Sequence, residues 1–395
     1  MECTAGGARL KSVSTRERAA LLEDVALTSL QGMWTAVPDP RSRHGRRYAL
    51  SFLLTCLVAA LVCDCNSLDA VGQWCREHHA LLTAVFGPRR HLTPTGSLYR
   101  KLLPRLNVAA IEAVVGTWVQ ATLHAPADEP LVADGKAVRG AATAEAAAPH
   151  LLSVSTMYTQ ETLLQVRVDE KTNEIPVLQA VLPLLPVAGR VVMADALHTQ
   201  VATAQQIVTQ GGAYVLTVKK NQPDLYAALA LFFAQPTAPL AEDRTVDYAH
   251  GRREERVLRT STEMNRYLGE RWPSVAQVGQ LTRTVTAKES TTQEVVYLLA
   301  SASPAEAPPA RLSGLVRAYW GIENKRHYVR DVTFGEDRSR LRSGDAPQIL
   351  ACLRNLALTL LHRAGHTAIA AGRRHFAAQP GHALAFLVSP PLLPG

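Results

Sequence analysis

Hydrophobic and polar positions follow two different periods along this chain, and the change falls near residue 130. Before it, apolar residues recur at i, i+3 and i+4, a spacing that places them on one face of a helix. This spacing predicts four helices, over residues 19–30, 50–62, 68–86 and 108–123. The longest apolar run, residues 49–63, has 15 residues, whereas a membrane span needs roughly 20. We therefore expect residues 1–125 to form an all-helical domain without a membrane segment.

Strand-like runs begin after residue 130 and then alternate with helical patterns. The predicted order is strand, strand, strand, helix, strand, helix, strand, over residues 131–134, 151–158, 163–168, 175–185, 189–195, 201–209 and 213–218. A hairpin meander followed by βαβ units implies an α/β fold, with a mixed sheet flanked by helices. We assign residues 126–222 to the first part of this core.

Short β-prone pieces with polar turns fill residues 223–311, which we interpret as a β-rich insertion subdomain. Helical patterns resume over residues 312–330 and 347–363. Residues 312–395 would therefore supply the second part of the core. No role is assigned to the tail after residue 365.

Composition indicates an ordinary globular protein, with 47% apolar and 19% charged residues. The net charge of +8 favours a polyanionic partner, although many soluble proteins carry as much. Six cysteines in 395 residues are too few for a disulfide framework, and none forms a CxxC pair, so we expect buried, reduced thiols of a cytoplasmic protein rather than zinc ligands. The charged stretch from residue 9 to 24 predicts that a secretory signal is absent.

Two aspartates end predicted strands of the core, Asp134 and Asp195. Strand ends are where α/β folds place their functional sites. An aspartate there also commonly caps a turn or a helix, so this position alone leaves both interpretations open.

A third carboxylate lies on the predicted helix over residues 312–330, whose apolar stripe includes Tyr319 and Trp320. Glu323 follows these residues by four and three positions, so we expect its side chain on the same core-facing stripe. An ionised carboxylate there is costly unless it is paired or binds a metal. The alternative is an ion pair with one of three arginines on the same segment: Arg317, Arg326 or Arg330.

If Asp134, Asp195 and Glu323 converge, hard divalent cations would relieve their mutual repulsion. Oxygen-only ligands favour Mg²⁺ or Mn²⁺. Two such ions about 3.5–4 Å apart would bind the attacking and leaving oxygens of an in-line phosphoryl displacement. Glu336 and Asp337 are the main alternatives to Glu323 as the third catalytic carboxylate, although local salt bridges would also explain an acidic pair in this basic loop.

Basic residues near these carboxylates would hold a phosphate backbone: Lys136, Arg139, Lys219, Lys220, Asn221 (a polar neighbour), Arg252, Arg253, Arg326 and Arg330. A breaker-rich loop over residues 38–47 adds Arg41, Arg43, Arg46 and Arg47. Thr95 and Ser97 are candidate N-caps of a short basic helix. That helix is either a recognition helix or an ordinary solvated face.

Six ordered motifs resemble those of the DDE transposases of bacterial insertion sequences, in the H-repeat-associated (ISAs-type) branch. The motifs are residues 134–140 (DGKAVRG), 171–176 (KTNEIP) with 194–200 (ADALHTQ), 214–222 ending in KKNQ, 250–256 (HGRREER), 317–338 around RAYWGIEN, and 39–48. Tyr319 stands where this branch usually has His.

The resemblance implies a ribonuclease H-like core in which Asp134, Asp195 and Glu323 bind two Mg²⁺ or Mn²⁺ ions. It also implies phosphodiester hydrolysis at transposon ends and strand transfer of the 3′-hydroxyl into target DNA. The partners would be double-stranded terminal inverted repeats and target DNA, bound by a homodimer in the bacterial cytoplasm, next to the nucleoid when on DNA. Two alternatives stay open, an inert DNA-binding protein derived from a transposase and a stand-alone metal-dependent nuclease.

Overall fold

The computed structural model describes residues 29–86, 93–122, 125–169, 172–249, 251–287 and 290–388. The predicted helix over residues 19–30 lies almost wholly outside this range. The helices, numbered in chain order, are α1 Leu30–Met33, α2 Leu50–Val62, α3 Leu68–Glu77, α4 His79–Phe86, α5 Gly96–Leu102, α6 Val108–Ala121, α7 Glu174–Val181, α8 Val201–Thr209, α9 Pro223–Ala234, α10 Asn265–Gly269, α11 Pro309–Trp320, α12 Ala346–Arg363, α13 Ile369–Ala378 and α14 Pro380–Val388.

Within the described residues, nine strands form one sheet, which is mixed as the sequence predicted but includes the strands of residues 223–311 as well as the five core strands. They are β1 Leu131–Ala137, β2 His150–Thr156, β3 Thr162–Val168, β4 Val191–Ala194, β5 Ala213–Val218, β6 Ala241–Ala249, β7 Arg252–Ser261, β8 Gln277–Ala287 and β9 Ser290–Ala300. Their order across the sheet is β3-β2-β1-β4-β5-β9-β8-β7-β6. The strands β1, β4 and β5 are parallel, whereas β2 pairs with β3 and β6 to β9 pair with one another in antiparallel fashion.

The segment over residues 223–311 is β-rich, and its strands continue the central sheet because β9 pairs with β5. The pairing runs antiparallel from Val215 opposite Ala300 to Val218 opposite Tyr297. The segment also contains a helix that the sequence analysis did not predict, α9. Pro223 at its first position and Asp224 in its first turn are typical helix-start signals.

The chain forms two compact units. The first contains the described parts of residues 1–125, 135–172 and 323–395, and the second contains residues 126–134 and the described parts of 173–322. Strand β1 is therefore divided, with its residues up to Asp134 in the second unit and the rest in the first.

Two apolar helices form the core of the first unit. Twelve of the 13 residues of α2 are buried, as expected for a helix that is hydrophobic on all sides. The helix α12 packs against α2, α6 and β3, and nearly all its residues are buried. Arg363 near its end forms a bidentate ion pair with buried Glu161, with N–O distances of 3.0 and 2.8 Å.

The five described cysteines are all free and buried, in agreement with the expectation of reduced thiols. The predicted helix over residues 68–86 is interrupted at His78, where α3 ends and α4 begins. Among the described residues, no single helix combines the length and the apolar composition of a membrane span; Gly96–Arg105 and Val108–Ala121 pass that test only as a pair, across a 97° bend.

A partly buried carboxyl group in the first unit makes its stability depend on pH. Glu112 Oε1 accepts hydrogen bonds from Gln165 Nε2 at 2.7 Å and Gln348 Nε2 at 2.9 Å. Burial raises the pKa of Glu112 to about 8. Because the folded-state pKa lies above the unfolded value, the neutral form favours folding, and stability falls as pH rises from about 4.5 to about 8.

We expect Glu112→Gln to remove this pH dependence, since an amide keeps the accepting oxygen and does not ionise. Relative to Glu112→Gln, the unmodified chain should lose about 3 kcal/mol of unfolding free energy between pH 5 and pH 8. Urea unfolding at both pH values measures the difference. Glu145→Gln, at an exposed loop residue of the same unit, is the control and should follow the unmodified chain. Parallel pH curves for the unmodified chain and Glu112→Gln would contradict the raised pKa.

Candidate active site

Asp134 and Asp195 lie side by side at one edge of the sheet. In the parallel pair β1–β4, Ala133 is opposite Ala194, and each of these alanines is followed directly by one of the two aspartates. The strand β1 continues beyond this pairing to Ala137. Asp134 is therefore not the last residue of its strand, in contrast to the prediction from sequence. The two aspartates nevertheless both follow the last paired residues of β1 and β4, and both belong to the second unit.

The Asp195 carboxylate is held by a short 3₁₀ turn, Ala196–His198. Asp195 Oδ1 accepts a hydrogen bond from the Leu197 amide at 3.0 Å. The Asn221 side chain donates to the Ala196 carbonyl at 2.6 Å. The predicted DNA contact Asn221 thus fixes the turn that carries Asp195.

A buried histidine and a third acidic residue lie beside Asp195. His198 is 1% exposed, and its Nε2 atom is 3.1 Å from Glu174 Oε2. The pKa of Asp195 is raised by burial and by the Glu174 charge, although His198 and two backbone amides lower it. The carboxylate pair therefore lies in surroundings where additional positive charge would be stabilising.

The end of α11 reaches the same aspartates through Tyr319. Burial raises the pKa of the Tyr319 hydroxyl, and the negative charges of Asp134, Asp195 and Glu174 raise it further. Sequence reasoning did not select Glu174, His198 or Tyr319 as site residues. For His198, the sequence did contain a signal, because this residue follows Asp195 by three positions in the same short turn.

Glu323 does not occupy the core-facing position predicted for it. The α-helix ends at Trp320, and Glu323 begins a π-helical segment, Glu323–His327. A π turn has more residues than an α turn, so the stripe that includes Leu315 and Val316 does not continue to Glu323, which is exposed. Glu323 belongs to the first unit.

Two of the ion pairs considered as alternatives for Glu323 involve other carboxylates. Arg317 binds Asp247 at 2.8 Å in the second unit. Arg330 binds Glu336 at 2.7 Å in the first unit, where both side chains are buried. Glu336 is also 3.3 Å from Arg354. The local salt-bridge explanation of Glu336, which competed with Glu323 for a catalytic role, is thus the one that the contacts support.

The oxygen donors at this edge have the chemistry that Mg²⁺ and Mn²⁺ prefer. Asp134 and Asp195 supply two carboxylates from adjacent strands, and the charge of Glu174 adds to the local negative potential felt by Tyr319. Within the described ranges, no group of three or more His, Cys, Asp or Glu side chains is close enough to hold a metal. The paired aspartates fit as part of a divalent-cation site.

Several residues that were predicted to bind DNA are buried and bind other residues of the protein instead. Lys136 is 7% exposed and binds Asp331 at 2.7 Å. Arg326 is 1% exposed and donates to the Gln160 carbonyl at 3.3 Å. Arg330 is equally buried and paired with Glu336. Burial of these three side chains makes them poor candidates for phosphate contacts, in contrast to the expectation from sequence.

The other predicted DNA contacts are at least partly accessible. Arg41 is bound to Asp39 at 2.8 Å, Arg253 to Glu255 at 2.7 Å, and Arg46 donates to the Arg41 carbonyl. The remaining basic residues are exposed: Arg43, Arg47, Arg139, Lys219, Lys220 and Arg252. Thr95 caps α5 as predicted, by accepting from the Leu98 amide at 3.2 Å, whereas Ser97 does not serve as the N-cap.

The sequence matches the family described as “Transposase DDE domain” over residues 126–360, and the family “DDE_Tnp_1-associated” over residues 33–119. The chain belongs to the DDE transposase family. The family assignment agrees with the resemblance seen in the motifs, and it covers both paired aspartates and Glu323.

Two relatives of this DDE transposase family member come from Escherichia coli. “Putative transposase YncI” of the O157:H7 strain is 25% identical over 347 residues, which cover 85% of this chain and 88% of the relative. “H repeat-associated putative transposase YhhI” of strain K12 is 25% identical over 340 residues, covering 82% and 88%. A cryo-EM structure of the piggyBac transposase synaptic complex with hairpin DNA matches with a TM-score of 0.43 at 12% identity, covering 93% of this chain and 78% of the other.

Proposed function

We propose that this chain is a metal-dependent DNA transposase that hydrolyses a phosphodiester at each transposon end and joins the freed 3′-hydroxyl to target DNA. The observation that carries the proposal is the adjacency of Asp134 and Asp195 on parallel strands, inside the residues that match the transposase family. Parallel strand ends are where α/β sheets concentrate reactive side chains. We further propose that the core is ribonuclease H-like.

Asp134, Asp195 and Glu323 are the proposed ligands of two Mg²⁺ or Mn²⁺ ions. When bound, such ions supply Lewis-acid activation of water and of the attacked phosphate. The amide of Leu197 orients the Asp195 carboxylate, and the Asn221 contact keeps the supporting turn in place. The contact between buried His198 and partly exposed Glu174 braces the same turn from the helix α7 side.

DNA would be held by the exposed basic residues of both units. In the proposed division of labour, the helical residues 1–125 bind the transposon ends, residues 126–222 and 312–395 form the catalytic core, and residues 223–311 form the insertion. Arg43 and Arg47 in the loop before α2, and Lys219 and Lys220 after β5, are exposed. The active form would be a homodimer on the terminal repeats and target DNA, in the bacterial cytoplasm.

A second candidate function is an inert DNA-binding protein derived from a transposase. Such a protein would keep the exposed basic residues, for example Arg43, Arg47 and Lys219, and would need no metal. A stand-alone nuclease is the third possibility, and it would cut DNA without joining it.

The function is tested by incubating the purified chain with DNA that carries the inverted repeats flanking its gene, with and without Mg²⁺. We expect nicks at the repeat ends and strand-transfer products, both abolished by EDTA and restored by added Mg²⁺ or Mn²⁺. The same DNA with scrambled repeats is the control. Specific binding without metal-dependent nicking would identify the inert DNA-binding protein, and nicking without joined products would identify the nuclease.

A further inference from the structure

A cavity of about 770 Å³ lies within the first unit, and none of the proposed catalytic residues lines it. It is bordered by α2, the start of α3, α5, the segment over residues 335–343 and α12. Ligand pockets typically enclose about 300–1,000 Å³. One wall is apolar and consists of Leu57, Leu61, Leu68, Val71 and Leu350. The volume fits an organic ligand much larger than a simple ion.

Five arginines line the same cavity: Arg100, Arg338, Arg340, Arg342 and Arg354. The lining contains one acidic residue, Asp69, which is paired with Arg100. Arg342 donates weakly to the Gly140 carbonyl at 3.5 Å. Arg338 and Arg340 are exposed and form no side-chain hydrogen bond or ion pair with any described residue. Two guanidinium groups at the rim are therefore available to an anion.

The inner surface of the cavity contains excess buried positive charge. Arg354 is 2% exposed and shares the single carboxylate of Glu336 with buried Arg330. Its Nε atom is buried and has no hydrogen-bond partner in the described part of the chain. Burial lowers the pKa of Arg354, and the nearby Arg330 charge contributes to the lowering. Arg354 lines the cavity and has only a shared carboxylate as its counter-charge, so the negative charge of an anion in the cavity would be favourable there.

The first turn of α3 adds a weaker attraction of the same sign. Ser67 caps this 10-residue helix by accepting a hydrogen bond from the Ala70 amide at 3.1 Å, and both residues line the cavity. The N-terminal end of a helix carries partial positive charge. Helix end, rim arginines and buried Arg354 therefore favour a negatively charged group, next to an apolar wall.

We propose that this cavity, the arginine pocket, binds a nucleoside phosphate, with the phosphate on the arginines and the base and sugar against the leucine wall. Inorganic phosphate would leave most of the volume and the apolar wall unused. The ligand could come from two sources, a nucleotide of a single DNA strand or a free nucleotide. The pocket uses none of Asp134, Asp195 and Glu323, so it can be tested separately from cleavage.

The test measures binding of fluorescently labelled dAMP to the full chain at fixed salt. Unlabelled dAMP, a 5′-phosphorylated single-stranded oligonucleotide, a short duplex and inorganic phosphate serve as competitors. We expect dAMP and the single strand to compete for one site, and inorganic phosphate to be at least about 10-fold weaker. If labelled dAMP does not bind but the same oligonucleotide, carrying the label instead, does bind, the DNA strand is the source.

The double variant Arg338→Ala/Arg340→Ala should weaken nucleotide binding about 30-fold, since each loses a charge-assisted hydrogen bond. The matched control is Arg76→Ala/Arg374→Ala, which removes two exposed arginines of the same unit that do not line the pocket. The nucleotide affinity of this control variant should stay within about 3-fold of that of the unmodified chain. Equal losses in the two double variants, or equal competition by inorganic phosphate and dAMP, would overturn the proposal.

Discussion

Asp134→Asn is expected to abolish cleavage at transposon ends while leaving DNA binding nearly intact. The amide keeps the size of the side chain but removes the charge that a divalent cation requires, and the second carboxylate, Asp195, is on the adjacent strand. We expect the cleavage rate to fall by about a thousandfold or more. A gel assay with labelled end DNA measures nicking, and a mobility shift on the same DNA measures affinity.

The matched control for this experiment is Asp128→Asn, an exposed aspartate of the same unit. It makes the same chemical change six residues earlier and should cleave at the rate of the unmodified chain. Cleavage by Asp134→Asn at that same rate would reject the assignment of Asp134. Loss of both binding and cleavage would instead show that Asp134 has a structural role.

The largest expected effect on stability follows Glu336→Gln. Glu336 is fully buried between Arg330 and Arg354, and those two charges hold its pKa below the usual range even though burial opposes this. Neutralising it would leave two buried guanidinium groups without a counter-charge. Breaking a buried ion pair in this way costs about 3–5 kcal/mol, and thermal or urea unfolding would measure the loss.

Asp337→Asn is the control for Glu336→Gln, because Asp337 is the next residue and is exposed. The pKa of Asp337 is raised by burial and by the nearby Asp331 charge, so neutralising it should leave stability unchanged or slightly higher. If Glu336→Gln kept the melting temperature of the unmodified chain but lost cleavage, Glu336 would replace Glu323 as the third catalytic carboxylate.

Elements whose limits depend on local sequence were predicted closely. The helix Leu50–Val62, the helix Val201–Thr209 and the strand Ala213–Val218 have the predicted bounds. Their apolar runs are bounded by turn-forming or polar residues, for example Gly211 with a positive φ of 75° before β5. The sequence selected Asp134 and Asp195 as strand-end residues, but their adjacency was only a supposition until the pairing of β1 with β4 was known.

Features that depend on distant partners were not accessible from the sequence. The change from α- to π-helical backbone after Trp320 accompanies the burial of Arg326 and Arg330, whose contacts are with Gln160 and Glu336. The sharing of Glu336 by two arginines, one 18 residues away, has no local pattern. Periodicity alone therefore predicted one continuous helix, and with it an inward-facing Glu323.

The packing of helix α12 restricts the mutations by which this protein could lose DNA cleavage and still fold. Helix α12 contacts α2, α6 and β3 in the interior of the first unit. A stop codon anywhere before residue 346 would therefore remove α12 and leave that interior without its central helix. Such an allele should yield aggregated or degraded chains instead of a stable DNA-bound repressor. A folded, cleavage-deficient descendant would have to arise by missense changes at the acidic positions, with its C-terminal helices retained.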